Sequence, residues 1–269
     1  MKKESNLLTF YEDLKGKTII VNGGTKGIGL EIVREFLKNE SRVVLTGRTK
    51  LDDFKQIGEL TQEYGIDNVT YYVVDSSRSI EIEKFIENIA SNIGEVHVLV
   101  NNAAINHYSD FLEVENELLA KIINTNLVGY FSFIRGVVPL MPQTNKNSII
   151  NISSTLAERV LKGRAIYAST KAAINSITRS AAIEFANRNI RVNSLCVGTV
   201  LTDMVRKTLN QSGNPEAEKI RLISRIPLGR FGTPREIANV VKFLASENSS
   251  FITGESVFVD GGFNAGFTD

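Results

Sequence analysis

Residues 167–171 read YASTK, and Tyr167 with Lys171 is an arrangement whose residue types and spacing suggest acid–base chemistry. A spacing of four puts both side chains on one face of a helix, within reach of each other. A free tyrosine ionises near pH ~10 and is a poor proton acceptor at neutrality. A nearby ammonium favours the phenolate and lowers that value. The spacing is equally consistent with a surface tyrosine whose ring is covered by a lysine stem. Tyr11 and Lys15, in YEDLK, repeat it. Two residues do not decide the matter; the elements that position them must.

Short β-branched runs alternate along the chain with longer amphipathic stretches. Strands are expected at 17–22, 42–46, 69–74, 96–100, 147–153, 190–197 and 255–260. Helical periodicity appears at 28–39, 51–64, 79–93, 115–138, 166–187 and 234–246. Strand runs with little internal alternation, separated by helices, predict a parallel sheet covered on both faces. Right-handed crossovers make this a doubly wound, Rossmann-type α/β sheet, a three-layer sandwich of seven strands. With no repeat, low-complexity tract or linker, one domain is expected over 1–269. Residues 201–226 break the alternation. They read as helical, interrupted by Gly213 and Pro215, where a substrate lid would sit.

Composition narrows the function classes. Of 269 residues 42% are hydrophobic and 23% charged, and a net charge of +1 favours neither nucleic acid nor an anionic membrane as partner. The single cysteine, Cys196, excludes an intramolecular disulfide, and with only His97 and His107 beside it no metal site is expected. No apolar run is long enough to cross a bilayer. The stretch MKKESNLLTFYED lacks an adequate apolar core before Glu12 and Asp13, so no signal peptide and a cytoplasmic setting are expected.

The first strand runs into NGGTKGIG (22–29) and then a helix. Gly23, Gly27 and Gly29 permit a tight turn and close approach of backbone to a pyrophosphate at the helix N-terminus. Glycine clusters are often only loops, but the position between strand and helix favours a dinucleotide. After the second strand, an acidic residue would hold the ribose 2′-hydroxyl of NAD. Here LTGRTK offers Gly47 and Arg48 and no carboxylate, and Lys26 adds a second cation. Two cations without an acid suit the 2′-phosphate of NADP, which arginine grips in fork geometry. Solvated surface charges are the plain alternative.

Further stretches follow in order. VVDSS holds Asp75 and Ser76, NNAA spans 101–104, NTNLVG holds Asn126, and NISS holds Ser154, thirteen residues before Tyr167. VGTVLT (197–202) and TGESVFVDGG (253–262) complete the series. With NGGTKGIG and YASTK, these resemble the motifs of the classical short-chain dehydrogenase/reductase family over nearly the whole chain. The departures are Asn22 for the usual threonine, Ala104 for glycine and Val197 for proline.

The resemblance implies a reaction and its residues. Tyr167 would donate a proton to the substrate oxygen in reduction and accept it in oxidation, with Ser154 hydrogen-bonding the same oxygen. Lys171 would hold the nicotinamide ribose and lower the tyrosine pKa, and Asn126 would anchor the water through which protons reach Lys171. Cofactor contacts are implied for Gly23, Thr25, Lys26, Gly27, Ile28 and Gly29 of the turn, and for Arg48, Asp75 and Ser76. They are implied also for Asn102, Ala103, Ala104, Tyr167, Lys171, Gly198, Val200 and Thr202. Tyr11, which precedes the first strand, becomes a decoy.

The implied activity is hydride transfer between NADP(H), in preference to NAD(H), and a small-molecule carbonyl or secondary alcohol. A homotetramer packed on the helices at 115–138 and 166–187 is expected, with a dimer as the alternative. A 3-oxoacyl-carrier-protein reductase is one alternative, lowered because Ile183 stands where such enzymes commonly carry a basic residue, just before Glu184. A retired dinucleotide-binding sensor or scaffold is another, and retention of Asn126, Ser154, Tyr167 and Lys171 argues against it. Sugar-nucleotide epimerases of the extended branch are longer chains with a TGxxGxxG turn.

Other residues take plainer readings. His97, in a buried strand run, reads as a satisfied core histidine. His107, in the loop 105–112, borders the expected substrate position. Glu158, Arg159 and Arg164 face either a polar substrate or solvent. Cys196 reads as inert packing. Ile174, Ile177 and Ile183 fit a core and a subunit interface equally well.

Overall fold

The computed structural model describes residues 11–210 and 212–266. The signal-peptide reading rests mainly on residues 1–10, which lie outside the described residues, as do residue 211 of the lid stretch and residues 267–269 of the expected domain.

Seven parallel strands form one sheet in the order β3-β2-β1-β4-β5-β6-β7. They are β1 Thr18–Asn22, β2 Arg42–Gly47, β3 Val69–Val73, β4 Val98–Asn101, β5 Asn147–Ser154, β6 Ile190–Val197 and β7 Ser256–Val259. The order reverses between β1 and β4, which opens a crevice at their C-terminal ends. That crevice is where the site lies.

Strand alternation sends successive apolar side chains to opposite faces. Ile19, Val21, Leu45, Val100 and Ile150 join one core with α1 (Gly27–Lys38), α2 (Lys55–Tyr64) and α9 (Pro234–Ala245). Ile20, Val44, Leu99 and Ile149 join the other with α3 (Ser79–Asn92), α5 (Gly129–Val137) and α6 (Ala165–Phe185). Each fully buried Leu, Ile or Val contributes about 1.5–3 kcal/mol, so a sheet covered on both sides needs the continuous apolar runs seen in β1 and β4.

A polar row crosses six strands in register: Thr46, Asn22, Asn101, Asn151, Ser194 and Ser256. Thr46 Oγ1 donates to Asn22 Oδ1 at 3.1 Å, and Asn101 Nδ2 donates to Asn151 Oδ1 at 3.0 Å. Side-chain bonds between neighbouring strands thus tie the row together towards the C-terminal ends of β1 and β4, while Asn22 Nδ2 and Asn101 Oδ1 are buried without a partner.

The helix expected at 115–138 forms but is not α-helical throughout. α4 (Asn116–Ile123) passes into a π-helical turn, Asn124–Val128, before α5 begins. The stretch expected at 51–64 likewise opens as a 3₁₀ turn at Leu51–Asp53. In the lid stretch, α7 (Asp203–Asn210) and α8 (Pro215–Ile223) are separate helices. Asn214 caps α8 by accepting from the Ala217 N–H at 3.1 Å, and Pro215 takes the first helical position. Leu209, Ile226 and Phe231 form a small cluster that holds this segment together. Among the described residues no helix is long and apolar enough to cross a membrane.

Candidate active site

The glycine-rich turn folds down onto the end of β4. Gly23 has φ +80°, and a Cβ there would lie 2.7 Å from the Ala103 nitrogen. A Cβ on Gly29 would lie 2.1 Å from the Gly23 carbonyl oxygen, which accepts from Asn102 Nδ2 at 2.8 Å. Helix α1 therefore starts against bare backbone, with no acidic residue in its first turn. Such a cradle suits a diphosphate at a helix N-terminus.

The charges around it are positive. Lys26 and Arg48 are exposed, and neither pairs with a carboxylate among the described residues. Burial pushes the Asp75 carboxyl up, but two hydrogen bonds from Ser77 and the Arg48 charge outweigh it and hold the group below the usual range. Ser76 is buried and donates to Asn22 Oδ1 at 2.8 Å. Asn22 thus straps β2 and the loop after β3 beneath the turn, while its Nδ2 is buried without a partner. Position 47 is crowded, since a Cβ there would lie 2.5 Å from Thr25 Cγ2 and would have to displace it.

Residues 198–202 border the same crevice. Gly198 N–H donates to the Val259 carbonyl at 3.0 Å, and Thr202 stands beside Gly27. Val200 is buried in the core and bridges to Gly232. Val197, without the family proline, is an ordinary member of β6, in register with Ser154 and Val259.

Ser154 ends β5, and Tyr167 lies in the first turn of α6. Ser154 Oγ accepts from the Leu156 N–H at 3.1 Å and lies beside the Tyr167 phenol. Burial pushes Tyr167 above its ordinary value; the neighbouring Ser154 hydroxyl and the Arg164 charge oppose that rise. Lys171, one turn further, is 1% exposed and donates to the Ile152 carbonyl oxygen at 2.7 Å. Burial with no carboxylate beside it pushes its ammonium down to about 7. The ammonium is turned to a backbone carbonyl with the Tyr167 ring 5.6 Å away, and Arg164 adds a second cation near the phenol.

Asn126 is fully buried in the π turn. Its Oδ1 accepts from the Ile105 N–H at 2.7 Å, and its Nδ2 donates to the Ile105 carbonyl at 3.0 Å and to Thr170 Oγ1 at 3.2 Å. It joins the loop after β4 to the helix that carries Tyr167 and Lys171. π turns recur at functional sites.

The structure thus brings Ser154, Tyr167, Lys171 and Asn126 to one edge of the sheet. It does not do so for the decoy: Lys15 bonds Glu40 at 2.6 Å, and a 3₁₀ turn separates it from Tyr11. His97 is satisfied, its Nδ1 accepting from the Thr18 N–H at 3.2 Å. His107 and Glu158 are exposed, Arg159 Nη2 donates to the Asn264 carbonyl at 3.3 Å, and Arg164 Nη1 donates to Asn106 Oδ1 at 2.6 Å. Cys196 is buried beside Asn175. Ile174 is buried, Ile177 packs partly against the core, and Ile183 is 83% exposed. One side chain at the site went unread in the sequence. Tyr130 lies four residues after Asn126, and its hydroxyl is 3.4 Å from Lys171 Nζ.

A family model described as enoyl-(acyl carrier protein) reductase matches residues 23–264. The chain is 34% identical to the 3-oxoacyl-[acyl-carrier-protein] reductase FabG of Thermotoga maritima, over 93% of this chain and 98% of that one. It belongs to the short-chain dehydrogenase/reductase family. It is also 36% identical to a tropinone reductase homolog of Arabidopsis thaliana, over 93% of each chain. The L-sorbose reductase of Gluconobacter frateurii, solved with NADPH and L-sorbose, superposes with a TM-score of 0.89 at 28% identity, over 96% of this chain and all of that one. These dehydrogenase/reductase relatives carry different substrate names at similar identity. Oxidoreductase class and fold transfer to this chain, and a substrate does not.

Proposed function

We propose that this short-chain dehydrogenase/reductase is an NADP(H)-dependent carbonyl reductase, acting in reverse on secondary alcohols, with Tyr167 as general acid and base. The observation that carries the reading is the placing of Ser154, at the end of β5, beside Tyr167, in the first turn of α6, at the sheet edge that also holds the glycine cradle. A substrate oxygen placed against both hydroxyls receives two hydrogen bonds as negative charge develops on it. Tyr167 then gives up its phenolic proton to that oxygen. Positioned acid catalysis of this kind is worth about 10²–10⁴-fold. The nicotinamide ring, when bound, supplies the hydride. Asn126 fixes the loop and helix around the pair, and Lys171 would hold the ribose hydroxyls.

Arg48 and Lys26, neither of them ion-paired among the described residues, support NADP(H) over NAD(H) through the 2′-phosphate. The NADPH in the L-sorbose reductase structure agrees with that choice. A 3-oxoacyl-carrier-protein reductase is the second reading, favoured by the name of the Thermotoga relative. Exposed Ile183 weakens it, because an acidic carrier would be met there by an apolar side chain. Exposed Phe131 on α5, Val128 in the π turn before it and Leu112 ahead of α4 support a homotetramer, as does Ile183 on α6.

The test is NADPH and NADH binding, followed by NADPH oxidation across a β-ketoacyl thioester, a ketose, a cyclic ketone and simple ketones. Tighter NADPH binding and turnover of at least one class are expected. Failure to bind NADPH would overturn the reading. Binding without turnover of any member would favour a sensor.

A further inference from the structure

The ammonium of Lys171 is enclosed. Its Nζ lies 2.7 Å from the Ile152 carbonyl oxygen and 3.4 Å from the Tyr130 hydroxyl, which itself donates to the same carbonyl at 3.1 Å. The three groups close a triangle between β5, α5 and α6. The Tyr130 ring lies 5.2 Å from the ammonium and the Tyr167 ring 5.6 Å, so the cation sits between two aromatic faces. Tyr130 and Lys171 are each 1% exposed. The other titratable groups around Lys171 are Tyr167 on α6 and Cys196 on β6, and no carboxylate faces it among the described residues.

Phenylalanine at position 130 would fill the same space, so the hydroxyl needs its own explanation. It donates to a carbonyl already held by Lys171, using the second lone pair, and offers its own lone pair to the ammonium. Both bonds act on one object, the inward position of Nζ. A group with almost no surface open to a water-sized contact cannot touch a ribose hydroxyl. For Lys171 to hold the cofactor, Nζ must leave this pocket.

We propose that Tyr130 is a positioning residue for Lys171: its hydroxyl latches the ammonium against the Ile152 carbonyl, and NADP(H) binding draws the ammonium outward. This rests on the reading of Lys171 as a ribose contact. The latched state competes with cofactor binding, because affinity falls in proportion to the fraction of protein in the competent state. Removing the hydroxyl shifts that balance outward.

The experiment uses Tyr130→Phe, which keeps the ring. In the cofactor-free protein, acylation of Lys171 by acetic anhydride, read by mass spectrometry, should be several-fold faster in the variant. Its NADPH dissociation constant, read by fluorescence, should fall about three- to tenfold, the net size of one ordinary intramolecular hydrogen bond. Unchanged Lys171 labelling in a folded variant would overturn the latch, as would unchanged or weaker NADPH binding. The unmodified protein gives an arm that needs no variant: Lys171 should label far more slowly than exposed Lys162, and equal rates would overturn the proposal. Failure of both proteins to bind NADPH would instead sink the functional reading, while the labelling comparison still decides whether Tyr130 holds Lys171.

Discussion

Asn126 and Ile105 are joined by two hydrogen bonds, the side-chain amide of one pairing with both backbone groups of the other at 2.7 and 3.0 Å. The pairing makes one buried side chain responsible for the course of the loop after β4. Through Thr170 the same amide reaches α6, so the loop and the Tyr167 helix share a support.

Asn126→Ala removes that support and leaves the Ile105 N–H and carbonyl without their partner. A loss of about 1–3 kcal/mol in urea denaturation is expected, the cost of unsatisfied polar groups. Turnover should fall as well, because both elements that place the acid loosen. A variant with unchanged stability would show that the bonds are replaced by water at no cost.

On the proposed reading, cofactor preference turns on Arg48. Arg48→Ala should weaken NADPH binding while leaving NADH binding nearly unchanged, and the native preference should shrink as salt is added. Paired dissociation constants at low and high salt check this. Gly47→Asp, the natural way to add an anion for NADH, meets Thr25 Cγ2 at 2.5 Å. The acid should therefore work better alongside Thr25→Ser, which removes that methyl.

These residues show what the sequence made legible. The strands β1 and β4 were readable because they are buried on both faces and carry continuous apolar runs. The Ser154–Tyr167 pairing followed from motif spacing. The π turn at Asn124–Val128 did not, because one extra residue in a helical turn leaves the apolar pattern of 115–138 almost unaltered. The inward Lys171 was hidden for a different reason. Spacing of four places a lysine and a tyrosine on one face, but its four-carbon stem lets the ammonium reach a strand carbonyl instead. The crowding at position 47 comes from Thr25, a contact between the end of β2 and the glycine-rich turn that no local pattern records.

Lys171 should also make stability depend on pH. Its ammonium ionises near the ordinary lysine value of 10.5 when unfolded and at about 7 when folded. Below that lower value both states are protonated and the full cost of burying the charge is felt. Between the two values the unfolded state binds more protons, so stability rises with pH. Lys171→Met abolishes the ionisation. Its melting temperature relative to the unmodified protein should be highest at pH 6 and decline towards pH 9, by about 2–4 °C for each kcal/mol relieved. A constant difference across that range would contradict the burial argument.

Tyr11→Phe is the control for spacing alone. The Tyr11 ring faces Lys242 at 5.9 Å, far in the fold from Ser154, and its hydroxyl has no part in the site. Turnover and NADPH affinity should be unchanged. A loss of turnover would mean that residues before β1 reach the crevice.

The central claim is that the Tyr167 hydroxyl supplies the proton. Tyr167→Phe removes one oxygen and little volume, so the fold and NADPH affinity should survive. With any ketone that the unmodified protein reduces, the direct measurement is single-turnover NADPH oxidation by both proteins at saturating cofactor. The account predicts a loss of at least ~10²-fold with the NADPH dissociation constant preserved. A Tyr167→Phe protein that reduces the same ketone at the full rate would contradict it.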